Sequence, residues 1–128
     1  MQDPVNTALG KARVSVKLVL IGSERYFGPG ICELLEKIRE TGSIQAAASM
    51  MKMSYTKAWK ILNRAEREMG VRLIRRQSGG KNGGSSALTD AGENAAAVYR
   101  KMEKQLSETA DGLLKEYGPV FCMPKGEE

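Results

Sequence analysis

The chain has 128 residues, enough for one modest domain and too few for two ordinary ones. Hydrophobic residues make up 41% and charged residues 27%, the balance of a globular protein; aromatics at 5% leave Ala, Leu and Met to fill most of the core. Histidine is absent, and the two cysteines, Cys32 and Cys122, form no ligand pair. That removes histidine general bases, most zinc sites and Ser-His-Asp or Cys-His arrangements, so neither an enzyme nor a bound cofactor is expected. A disulfide between the cysteines is not expected in a reducing cytosol. No apolar run approaches the ~20 residues that span a bilayer. Met1 to Gly10 lacks a basic region followed by an apolar stretch, so neither a membrane partner nor secretion is expected, and the chain is assigned to the cytoplasm.

The net charge of +5 is modest, but its distribution is uneven. Between Lys52 and Lys81 nine bases face only Glu66 and Glu68, a local net of +7 that leaves −2 elsewhere. Charge gathered in one segment suits a polyanion partner, although a merely solvated face would also explain it. The pattern beneath the charge has to decide.

Residues 1–13 read as a flexible leader. Val14 to Ile21 alternates as a strand, Gly22-Ser23 signals a turn, and Glu24 to Phe27 can return as a second short strand. Gly28-Pro29-Gly30 breaks the chain before a first helix with Ile31, Leu34, Leu35 and Ile38 on one stripe. Cys32 is expected at that helix's edge. Gly42 ends the helix, and Ser43 caps a second one with Ile44, Ala47, Ala48 and Met51 on one face, closed off by Met53. The alanines allow the close crossing that a helix-turn-helix needs.

Ser54 caps a third helix running to about Met69, and Gly70 ends it. At 100° per residue Ala58, Ile61, Leu62, Ala65 and Met69 share one side, with Thr56, Lys60, Asn63 and Arg67 opposite. Met50, Met51, Met53 and Met69 read as core filling. Val71 to Arg76 and Ser86 to Leu88 are β-prone, and the glycine-rich segment between them carries Lys81 at its tip. That is the pattern of a wing, or of an ordinary hairpin loop. Thr89 caps a long helix from Asp90 to about Tyr117, where Ala91, Ala95, Val98, Met102, Leu106, Ala110 and Leu113 form a stripe. Its length of roughly 40 Å exceeds what a small core can cover, so Val98, Met102, Leu106, Ala110 and Leu113 are expected to form a homodimer. Residues 118–128 read as a flexible tail.

The fold class expected is therefore mainly α with a small β wing: a winged helix-turn-helix over 14–89, with an N-terminal β-hairpin, followed by the dimerisation helix over 90–117. Gly42-Ser43-Ile44-Gln45-Ala46-Ala47-Ala48 resembles the opening of the second helix in LysR-type and ModE-type bacterial regulators. Met53-Ser54-Tyr55-Thr56-Lys57-Ala58-Trp59 is similar to the recognition-helix start of the ModE-like group. Gly79-Gly80-Lys81-Asn82-Gly83-Gly84 resembles its wing, Ala87-Leu88-Thr89-Asp90-Ala91-Gly92 its entry to the long helix, and Phe27-Gly28-Pro29-Gly30 its lead-in. The likeness covers about residues 14–116. It implies a dimeric winged-helix transcription factor linked to molybdate or tungstate uptake and use. Only a short tail follows the long helix, in place of the family's C-terminal oxyanion-binding domains, so direct molybdate binding by this chain is not expected.

On this reading the partner is double-stranded DNA. Thr56, Lys60 and Asn63 face away from the core where a recognition helix enters the major groove. An amide such as Asn63 can pair with adenine, and the Lys60 ammonium with guanine acceptors. Ser54, Tyr55, Thr56 and Lys57 suit phosphates, as do Ser43 and Gln45 at the start of the second helix. Lys81 with Arg75 or Arg76 can reach the neighbouring minor groove or its phosphates, and Arg64 flanks the helix. Trp59 is either a wedge between helices or a base contact, with Tyr55 equally open. Arg64, Arg67 and Arg72 have a plainer alternative, solvation or pairing with Glu66 and Glu68. A dimer should read an inverted repeat with half-sites about one helical turn, or a multiple, apart. The other readings are a winged-helix protein-interaction adaptor and a non-specific DNA-binding protein.

Overall fold

The computed structural model of the chain describes residues 12–77 (Gln77 for its backbone) and 85–121. The chain divides into two compact units, Lys17–Arg100 and a second drawn from its two end segments. The leader up to residue 11, the wing tip at 78–84 with Lys81, and the tail from Cys122 onward lie outside the described residues.

In the first unit, β1 (Leu20–Ile21) pairs antiparallel with β2 (Arg25–Phe27). The alternation from Val14 therefore yields a strand only at its end, because β2 offers just three residues to pair with and the stretch before Leu20 pairs with no strand among the described residues. Helix α1 (Pro29–Thr41) begins earlier than a Gly-Pro-Gly break implies: Gly28 is the N-cap and Pro29 takes the first turn, where its missing N–H costs nothing. Ile31, Leu34, Leu35 and Ile38 are all buried, and so is Cys32, whose thiol donates to the Ala96 carbonyl at 3.7 Å. Cys32 is thus a core residue and not an edge one.

Gly42, in the left-handed region at φ 72°, closes α1 with its N–H on the Ile38 carbonyl. Ser43 caps α2 (Ile44–Met50), accepting from the Ala46 N–H at 3.0 Å. This helix stops at Met50, short of Met53, because the chain turns through Lys52 at φ 58°. The Met53 N–H returns to the Ala48 carbonyl. Ser54 then caps α3 (Tyr55–Met69), accepting from the Lys57 N–H at 3.0 Å, and Gly70 ends it in the left-handed region.

The wing strands are β3 (Ile74–Gln77) and β4 (Ser85–Leu88), paired in register from Ile74–Leu88 to Gln77–Ser85. Val71 to Leu73 precede β3 instead of belonging to it, since Leu73 is drawn into the core and its N–H goes to the Glu66 carboxylate. The Ser86 N–H donates to the Gly42 carbonyl at 2.8 Å, fastening the wing beside the α1–α2 turn.

Thr89 caps α4 (Asp90–Tyr117): its hydroxyl accepts from the Gly92 N–H and donates to the Arg72 carbonyl, while its N–H meets the Leu73 carbonyl. A Cβ on Gly92 would stand 2.3 Å from that same Leu73 oxygen, so only glycine permits the approach. Ala96 and Tyr99 complete the core, with the Tyr99 hydroxyl on the Leu18 carbonyl and Arg100 clasping Glu36 through two hydrogen bonds. The rest of α4 lies in the second unit, followed by a 3-10 turn over Gly118–Phe121. The result is the expected fold class, mainly α with a small β wing. No helix among the described residues is long and apolar enough to cross a membrane.

Candidate nucleic-acid interface

Helix α3 buries Ala58, Leu62 and Ala65, with Ile61 and Met69 half-buried beside them. The small alanines let α1 and α2 approach closely, which turns the opposite side outward. Thr56, Lys60 and Arg67 are exposed along that side, and Asn63 is half-buried among them. Tyr55 and Lys57 are exposed in the first turn, and the exposed Ser54 cap precedes them. Gln45 is exposed on α2, whereas the half-buried Ser43 hydroxyl is already engaged as a cap.

Strand β3 runs along one flank of α3. Period-two alternation sends Ile74 into the core and leaves Arg75 exposed, so Arg76 turns back toward the helix. Its guanidinium carbon lies 3.7 Å from the centre of the Trp59 ring. Tyr55 meets Trp59 edge-on at 6.2 Å, giving an Arg76–Trp59–Tyr55 stack. Trp59 is therefore a wedge between α3 and the wing. Burial pushes the Arg76 guanidinium below its ordinary value and Arg72 adds repulsion, while Glu66 and Tyr55 act the other way. Two of its donors, Nε and Nη2, are buried with no acceptor among the described residues. Beside the stack opens a cleft whose lining includes Asn63, Glu66, Arg67 and Arg72.

The other flank of α3 faces the β-hairpin. Arg64 pairs with Glu24 at 2.6 Å, so this cation is spoken for within the chain. Glu68 accepts from the Ser23 hydroxyl and from the Glu24 N–H, contacts that hold its carboxyl below the ordinary range. Glu66 accepts from the Leu73 and Ile74 N–H groups at 2.8 and 3.2 Å. The two acids of the basic segment thus anchor its neighbours, and no ion pair among the described residues joins them to Arg64, Arg67 or Arg72. Nothing in the sequence marks these uses, because the partners of Glu68 and Arg64 lie 40 or more residues away.

The structure thus brings Thr56, Lys60, Asn63, Ser54, Tyr55 and Lys57 to one helix end and face, with Arg76 on its flank. Arg64 belongs to the other flank, and Lys81 lies outside the described residues. No group of three Cys, Asp or Glu side chains among the described residues could hold a metal ion. On α4, Val98, Met102, Leu106 and Leu113 are 39–52% exposed, whereas Ala110 is buried.

Residues 32–93 match the family model described as bacterial regulatory helix-turn-helix protein, lysR family. The match runs from the core of α1, through the capped turns and α3, into the first turn of α4. The molybdenum transport protein ModE of Herbaspirillum seropedicae is 38% identical over 90 residues, covering 70% of this chain and 32% of the relative. The transcriptional regulator ModE of Haemophilus influenzae is 37% identical over 79 residues, 62% of this chain and 31% of the relative. The DNA-binding transcriptional dual regulator ModE of Escherichia coli is 34% identical over 88 residues, 68% of this chain and 34% of the relative. The chain spans about a third of the length of the curated relatives it matches.

Proposed function

We propose that this homologue of the ModE regulators, with its LysR-type helix-turn-helix at residues 32–93, binds double-stranded DNA sequence-specifically and regulates transcription. The observation that carries this reading is the outward stripe of α3, Thr56, Lys60, Asn63 and Arg67, on a helix whose other face is sealed in the core. Lys60 and Asn63 read base edges in the major groove. Ser54, Tyr55, Thr56 and Lys57 seat the helix on phosphates, and Ser43 and Gln45 meet the backbone from α2. Arg75 and Lys81 extend the contact along the wing. Arg64 is left out of this set because Glu24 holds it.

The functional form is a homodimer through α4, in which Val98, Met102, Leu106 and Leu113 recur at helical spacing and stay exposed. Ala110, buried within its own chain, is not part of that surface. The regulated genes are those of molybdate or tungstate uptake and use, a reading supported for molybdenum by the likeness to the molybdenum transport protein of Herbaspirillum seropedicae. Such a role places the protein in the cytoplasm and involves no enzymatic step.

Selection of bound fragments from the source genome tests the reading. Enrichment of inverted repeats with half-sites one helical turn or a multiple apart is expected, with affinity falling steeply as salt rises. Uniform recovery of all fragments would make the protein non-specific, and no recovery would make it a protein-binding adaptor.

A further inference from the structure

We propose that the cleft between α3 and β3 is a phosphate-binding site, in which Arg67, Arg72 and Arg76 surround one phosphate group beside Trp59. Three arginines and Asn63 line this one cleft. The carboxylate that also lines it, Glu66, is committed through Oε2 to the Leu73 and Ile74 N–H groups. None of the ion pairs among the described residues includes Arg67, Arg72 or Arg76. The cleft therefore sets three arginines against the single Glu66 carboxylate, an excess of positive charge.

Arg76 sharpens the case. Its guanidinium is fixed 3.7 Å above the Trp59 ring, so its position is set before any ligand arrives. Its Nε and Nη2 donors are shielded from water and meet no acceptor among the described residues. Unmet buried donors are costly, and a small turn of the guanidinium that opened them to the cleft would let an oxyanion serve as their acceptor. Arg72 stands near enough to Arg76 to repel it, a cost that a bound anion would offset. Guanidinium forks match phosphate oxygens, and three of them from separate positions suit a tetrahedral oxyanion better than a two-oxygen carboxylate. The phosphate comes either from a DNA backbone, in which case the site rests on the DNA-binding reading, or from free inorganic phosphate.

Trp59 is the only tryptophan of the chain, so its emission reports on this cleft alone. The full chain is titrated with sodium phosphate against sodium chloride at equal ionic strength, and separately with duplex DNA. Arg72→Ala and Arg67→Ala are run alongside; both positions are exposed, and melting curves check that the variants fold. A saturable change in emission is expected in at least one arm, weakened about tenfold or more by Arg72→Ala. If duplex is the source, the slope of log affinity against log salt also falls by about one with that variant. A response to duplex alone assigns the backbone phosphate, and a response to phosphate alone assigns the free ion. Emission that responds to neither, or that responds alike in wild type and both variants, overturns the site. In that last case a duplex shift that persists leaves DNA binding standing. If the chain shifts no duplex at all, the DNA-binding reading falls, and the phosphate arm by itself decides the cleft.

Discussion

Gly92→Ala probes the joint between the wing and the long helix. The added Cβ would lie 2.3 Å from the Leu73 carbonyl oxygen and 3.2 Å from its carbon, both backbone atoms. Relief requires a shift approaching 1 Å in a residue that is fully buried and tied on both sides. Its N–H is held by Glu66 at 2.8 Å and its carbonyl by the Thr89 N–H at 3.0 Å. Overpacking of this kind costs about 1–3 kcal/mol. Weakening the Thr89 bond adds about 1 kcal/mol, and the better helix propensity of alanine returns about 1 kcal/mol. The net loss is about 2 kcal/mol, a fall in Tm of roughly 6–10 °C for a chain this size. Urea unfolding followed by circular dichroism measures it. A variant as stable as wild type would refute the idea that this close approach requires glycine.

Three further outcomes follow from local features. Lys52 sits at φ 58°, where a side chain is strained, so Lys52→Gly should raise stability by about 0.5–1 kcal/mol in a thermal melt. The hydrogen bonds from Arg100 hold the Glu36 carboxyl below its ordinary 4.5, with burial opposing them. Because the folded value is the lower one, this pair adds stability above about pH 4.5 and loses it as pH falls further. Arg100 is 40% exposed at its side chain, so the effect stays below about 1 kcal/mol; Arg100→Gln should flatten that part of the pH profile of unfolding. Met102→Glu with Leu106→Glu should convert the proposed dimer to monomer in sedimentation, since both side chains stand on the exposed face of α4; wild type that sediments as a monomer would refute the dimer.

What could be read from the sequence was what is decided within a few residues. Gly42, Ser43, Ser54, Gly70 and Thr89 punctuate the chain by their own backbone and cap chemistry, and each does so in the structure. The stripe of Thr56, Lys60 and Asn63 follows from 100° per residue and needs no tertiary knowledge. What escaped depends on partners far along the chain. Alternation at Val14 to Ile21 states a preference for strand, yet strand length is set by the three residues of β2. Glu66, Glu68 and Arg64 look like a self-neutralising surface group in the sequence, whereas Glu68 and Arg64 both reach the Ser23–Glu24 turn and Glu66 holds the N–H groups of Leu73 and Ile74. The Arg76–Trp59 stack likewise appears only once β3 is laid against α3.

Lys60→Ala is the sharpest probe of whether α3 reads base edges. Lys60 is exposed and has no ion pair among the described residues, so its removal should leave the fold intact. Binding is measured at fixed salt on a selected fragment and on random duplex of equal length. A loss of about 1–3 kcal/mol is expected on the selected fragment and a much smaller one on random duplex. Equal losses on both would make Lys60 a phosphate contact, and no loss on either would contradict the placement of α3 in the groove.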